Sequence, residues 1–121
     1  MGSSMNNRAT GNRMERQAGA FLERQGYQVL QYNFYSRHGE IDIVAREGRY
    51  LVFVEVKYRK DGRMGDPGEA VGARKQHRIC KAAQYYLLCK GMRTGMPCRF
   101  DVIAIKGEDI ELIRDAFPFF I

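Results

Sequence analysis

Gly39-Glu40-Ile41-Asp42-Ile43-Val44, followed shortly by Phe53-Val54-Glu55-Val56-Lys57, decides how this chain is read. Side chains alternate between the faces of a strand, so Phe53, Glu55 and Lys57 share one face and Val52, Val54, Val56 and Tyr58 the other. Glu47-Gly48-Arg49 is a tight connection, which makes the two segments an antiparallel pair and brings Asp42 beside Glu55. Charges set among apolar neighbours are costly unless they are paired or hold a metal. A Val-Glu-Val-Lys run on its own also suits a half-exposed strand with no chemistry. Asp42, flanked by Ile41 and Ile43, tips the balance towards a metal site.

The donor set has a definite chemistry. Two carboxylates, the backbone carbonyl of Val56 and waters make a partial octahedron of the kind Mg2+ or Mn2+ accepts. The ammonium of Lys57 beside them would orient or activate a water, or stabilise charge developing on phosphorus. Glu40 falls by alternation on the Asp42 face and is a reserve carboxylate.

Working outward, residues 12–25 carry a helical stripe of Met14, Ala18, Phe21 and Leu22, with Asn12 as N-cap and Gly26 as stop. Glu15 leans over that stripe, either towards the site or out to water. Strands are predicted over 27–35, 40–46 and 50–59, and a polar loop over 60–68. A second helix runs from residue 70 or 73 to 90, burying Ile79, Ala82, Ala83, Tyr86 and Leu87. Gln76 lies on the same stripe, where it contacts a phosphate or metal-bound water, or else bonds a helix turn. Strands over 98–105 and 110–113 complete the order α-β-β-β-α-β-β. Residues 1–10 are expected to be a disordered tail or expression remnant, leaving 11–121 as a single domain.

Composition narrows the function classes. Twenty basic against 14 acidic residues give a net charge of +6, which favours an anionic partner. The basic residues cluster as Lys57, Arg59, Lys60 and Arg63, and as Arg74, Lys75, Arg78 and Lys81. Such clusters supply sequence-independent affinity for phosphates. Cys80, Cys89 and Cys98 are odd in number and lack Cys-x-x-Cys spacing, which argues against a disulfide framework or zinc cage and fits a reducing cytoplasm. No apolar run approaches a membrane span.

Met14-Glu15, Gly39-Glu40-Ile41-Asp42, Phe53-Val54-Glu55-Val56-Lys57, Lys75-Gln76 and Cys98-Arg99-Phe100-Asp101-Val102 together resemble the YraN-type bacterial family. That family is regarded as a group of endonucleases of the PD-(D/E)xK superfamily, related to archaeal Holliday-junction resolvases. The resemblance covers nearly all of residues 11–117 and implies a restriction-endonuclease-like core, a mixed sheet flanked by helices. It implies that Asp42 and Glu55 are metal ligands, Lys57 the superfamily lysine, Glu15 the first-helix carboxylate, and Gln76 a polar neighbour. The family usually has glycine before that glutamate, where this chain has Met14.

Two functions are therefore expected to compete. The first is a metal-dependent endonuclease acting on DNA, branched or otherwise structured, for which junction cutting would require a homodimer. The second is a nucleic-acid-binding or assembly module that retains the nuclease fold without turnover. Asp101 reads as a structural ion-pair or hydrogen-bond partner, and the apolar end Phe117-Pro118-Phe119-Phe120-Ile121 either packs back or marks a partner surface.

Overall fold

A computed structural model describes residues 2–59, 71–92 and 95–119. Their elements follow the expected order: α1 (Gly2–Arg24), β1 (Gln28–Ser36), β2 (Gly39–Glu47), β3 (Tyr50–Arg59), α2 (Ala73–Cys89), β4 (Cys98–Lys106) and β5 (Asp109–Phe117). The strands form one mixed sheet in the order β1-β2-β3-β4-β5. All neighbours are antiparallel except β3 and β4. A parallel pair needs a long crossover, and the segment containing α2 supplies it.

The two helices cover opposite faces. Leu51, Phe53, Phe100 and Val102 pack with Ile79, Ala83, Tyr86 and Leu87 of α2. Val52, Val54, Ile103 and Ile105 pack with Ala18 and Leu22 of α1. The predicted faces of β3 are thus observed. Covered on both sides, β3 and β4 carry the near-continuous apolar runs Leu51–Val54 and Val102–Ile105, as central strands do. The C-terminus packs back as far as it is described. Phe117 is buried and Phe119 sits 5.2 Å from the Phe100 ring, whereas Phe120 and Ile121 lie outside the described residues.

Local chemistry explains most element ends. Gly26 takes φ 96°, and Tyr27 N–H donates to the Leu22 carbonyl at 3.0 Å, satisfying an otherwise orphaned helix end. Gly91, at φ 64°, closes α2 in the same way, with Met92 N–H donating to Leu87. Two boundaries differ from expectation. The α1 helix begins at Gly2, not Asn12, so residues 2–10 continue the helix. No proline interrupts that stretch, and a single interior glycine such as Gly11 costs only about 1 kcal/mol. Strand β5 runs on to Phe117 because Asp115, at φ 53°, accommodates a bulge that simple alternation does not foresee. Among the described residues, no helix is long and apolar enough to cross a membrane.

One irregularity positions the site. Tyr32 and Phe34 are two residues apart, as are Ile41 and Ile43, so a regular strand would put each pair on one face. Instead Tyr32 and its partner Ile43 join the α1 cluster, while Phe34 and its partner Ile41 join the α2 cluster. Between them lie Asn33, at φ 55°, and Asp42. Asparagine is among the few residues that visit this left-handed region readily. The hairpin therefore changes faces at the level of Asp42. The paired register of β2 and β3 also begins only at Ile43 and Val54, which leaves the Asp42 end open.

Candidate metal centre

Three carboxylates converge at that opening. Glu15 comes from α1, and Glu40 and Asp42 from β2; one oxygen from each lies within 4.8 Å of the others. The approach of α1 depends on Gly19, where an added Cβ would fall 2.0 Å from the Tyr32 hydroxyl. Arg16, next to Glu15, stacks its guanidinium 4.1 Å from the Tyr32 ring and fixes the same turn. The amide of Asn33 donates to Glu15 Oε1 at 2.7 Å and to Glu40 Oε2 at 2.6 Å, so one side chain aligns both acids. Asp42 Oδ2 accepts from the Val56 N–H at 2.8 Å.

No lysine or arginine among the described residues forms an ion pair with Glu15, Glu40 or Asp42. Burial, followed by the Glu55 charge, pushes the Asp42 carboxyl up to about 8, and Glu15 and Glu40 add to the rise. Burial also raises Glu15, against the lowering effect of its Asn33 bond.

Glu55 has different company. It is buried, with Lys75 Nζ 2.5 Å and Lys57 Nζ 3.4 Å from its Oε2. Burial and the neighbouring Lys75 lower the proton affinity of Lys57. For Lys75, burial acts downward, but its bond to Glu55 prevails and holds the ammonium charged. Asp42, Glu55, Glu40 and Lys75 line a cavity of about 240 Å³ closed by Gly39, Arg78 and Ile79.

Asp42, Glu55 and Lys57 lie together, with Glu15 against Asp42. Glu40 moves from reserve to full member of the cluster. Val56, expected to offer its carbonyl, meets Asp42 through its N–H. Gln76 donates to the Val71 carbonyl at 2.7 Å, which is the helix-turn alternative, and does not line the cavity. Lys75, grouped with the phosphate-binding residues, is an ion-pair partner inside the site. Arg74, Arg78 and Lys81 form an exposed stripe at i, i+4 and i+7 along α2. Lys60, Arg63 and the side chain of Arg59 lie outside the described residues.

Asn33 escaped the sequence reading. Its signal was present: asparagine is depleted in strands, yet it stands in the middle of Gln31-Tyr32-Asn33-Phe34-Tyr35.

Comparison with known proteins places this arrangement in a lineage. Residues 14–105 match the family described as "Uncharacterised protein family UPF0102". A UPF0102 protein of Lachnoclostridium phytofermentans is 50% identical over 113 residues, covering 93% of this chain and 96% of that protein. A UPF0102 protein of Syntrophus aciditrophicus is 47% identical over 115 residues, covering 92% and 90%. One from Acetivibrio thermocellus is 45% identical over 127 residues, covering 97% of both. The chain belongs to the UPF0102 family, the YraN-type group.

Proposed function

We propose that this protein is a metal-dependent endonuclease that hydrolyses DNA phosphodiester bonds in branched or otherwise structured DNA. The observation that carries this reading is the convergence of Glu15, Glu40 and Asp42, none of them ion-paired to a lysine or arginine among the described residues, against Glu55 and Lys57. Mutual repulsion among half-buried carboxylates is a standing cost that a divalent ion would relieve.

The donor set fits such an ion, since carboxylate oxygens are the hard ligands that Mg2+ and Mn2+ prefer. Asp42 and Glu55 would hold it, Glu40 and Glu15 would add charge or hold its waters, and Asn33 keeps those two acids aligned. The Val56 carbonyl is a further donor, because in extended backbone it leaves the same strand edge as the N–H that reaches Asp42. When bound, the ion supplies positive charge at the scissile phosphate and acidifies a coordinated water. Lys57, ion-paired to Glu55, is suited to orient the attacking water or to steady the phosphoryl oxygens through its ammonium. Arg74, Arg78 and Lys81 offer phosphate contacts along α2 that position DNA without reading its sequence.

Incubation with Mg2+ or Mn2+ and plasmid, single-stranded, flap and four-way-junction DNA tests the proposal. Cleavage of at least one substrate is expected, abolished by Asp42→Ala or Glu55→Ala while DNA affinity is largely kept. Lys57→Ala should slow the chemical step about 10²–10⁴-fold. Absence of cleavage on every substrate would count against catalysis.

One observation favours the alternative of a non-catalytic nucleic-acid-binding or assembly module. Glu55 is already charge-compensated by Lys57 and Lys75. DNA binding indifferent to divalent ions, with no product, would select that reading.

A further inference from the structure

A groove of about 850 Å³ lies between the tip of the β1–β2 hairpin and the C-terminal half of α2. Its lining adjoins that of the carboxylate cavity in sequence on both walls. From the hairpin turn into β2 the lining passes from Arg37 and His38 to Gly39, Glu40 and Asp42, and along α2 from Arg78 to Lys81, one turn further on. Lys75 and Tyr85 mark the two ends on α2, roughly 15 Å apart at 1.5 Å per residue.

The lining interleaves cations with uncovered rings. Tyr35 is 70% exposed and Tyr85 45% exposed, and the cations Arg37 and Lys81 line the same groove, as does His38. Phe34 lies 6.1 Å from Tyr85 at 39°, so the Tyr85 ring is backed on one side and open on the other. Double-stranded DNA would leave these rings idle, because its base faces are stacked inside and only phosphates and edges are presented. Unpaired nucleotides offer both things the groove can use: a phosphate for each cation and a base face for each ring.

We propose that this groove binds a single-stranded segment of DNA through base stacking on Tyr35 and Tyr85, beside the cleavage site. The inference rests on the nuclease reading for its meaning, and it narrows the substrate to DNA with unpaired nucleotides flanking the scissile bond. Arg37 and Lys81 hold the backbone of that segment, and Leu88 extends the apolar floor beneath the bases.

Fluorescence anisotropy in the presence of chelator separates binding from cleavage. The probes are a labelled single-stranded thymidine oligonucleotide and a blunt duplex of the same length. Wild type is expected to prefer the single strand. Tyr85→Ala and Tyr35→Ala should each weaken single-strand binding by about tenfold or more and leave duplex binding within about twofold. Tyr85→Phe should bind like wild type, since stacking needs the ring and not the hydroxyl.

Unchanged single-strand affinity in both alanine variants would overturn the proposal, as would equal losses on both probes. Sedimentation of the free protein supplies a further check. A wild-type dimer that Tyr85→Ala converts to a monomer would assign the groove to a second copy of the chain and refute the inference. The cleavage assay is independent of all these outcomes: stacking without cleavage would sink only the nuclease reading, and cleavage without stacking only this one.

Discussion

Two aspartates, one buried and one half-buried, divide this molecule into regions with opposite electrostatics. Asp101, on β4, is fully buried and fully compensated. Arg99 donates to both of its oxygens at 2.9 Å, the Tyr27 hydroxyl donates at 2.6 Å, and the Asp115 N–H donates at 2.9 Å. Arg99 also reaches Glu47 at 2.6 Å, and Glu47 in turn accepts from Arg114. Asp42, on β2, has one backbone donor and three carboxylates for company. Each region holds a non-glycine residue at positive φ, Asp115 at a bulge in one and Asn33 within an unbroken register in the other. The same backbone device therefore serves two ends. At Asp101 it delivers a donor that completes a network; at Asp42 it delivers further negative charge. A carboxylate neutralised by the protein itself is structural, and one left in excess asks for something from outside.

The comparison can be broken most severely at Arg99. Arg99→Ala leaves Asp101 buried without its cation, and a loss of about 3–5 kcal/mol is expected in urea unfolding. Tyr27→Phe removes two hydrogen bonds from the same network, the one its hydroxyl donates to Asp101 and the one it accepts from Arg99, and should cost about 1–3 kcal/mol by the same measurement. Asp42→Asn should move the other way. With chelator at pH 8 it relieves repulsion, raising stability by on the order of 1 kcal/mol once solvent screening is allowed for. Loss of stability there would show that Asp42 is structural after all. Arg114→Ala touches only the half-exposed rim of the Asp101 network, through Glu47, and should cost less than about 1 kcal/mol.

The pH dependence sharpens the same contrast. The Asp42 carboxyl titrates near 3.8 in the unfolded chain and about 8 in the folded one. Between those values the folded state binds more protons, so this group's contribution to stability falls as pH rises from about 4 to about 8 and is flat above. Thermal unfolding with chelator should therefore show a declining Tm across that window. Asp42→Asn should remove this component of the decline. An unchanged pH slope in the variant would mean that Asp42 is not held protonated.

Much of this was legible in the sequence because alternation is a strong rule. It put Glu55 and Lys57 on one face of β3, fixed the order of elements, and marked Asp101 as a paired charge. Glycines at the ends of both helices located their stops. Other features are set by backbone geometry that alternation cannot express. Asn33 in the left-handed region reverses the faces of two paired strands and brings Glu15, Glu40 and Asp42 together. Lys75 reads as one more surface cation until the fold sets it 2.5 Å from Glu55. The Gln76 amide, whose two readings are equivalent in sequence, is claimed by the nearby Val71 carbonyl. The start of α1 is missed because a good N-cap residue can also sit inside a helix.

On the proposed function, the Asp42 cluster is an unfinished charge balance that a divalent cation completes. Calorimetric titration of the full chain with Mn2+ at pH 7, repeated in buffers of different ionisation enthalpy, measures both affinity and proton release. Binding accompanied by release of a proton is expected, because the ion must displace the proton that Asp42 retains, and both signals should vanish in Asp42→Asn. Absence of binding, or binding and proton release that survive loss of Asp42, would contradict the account.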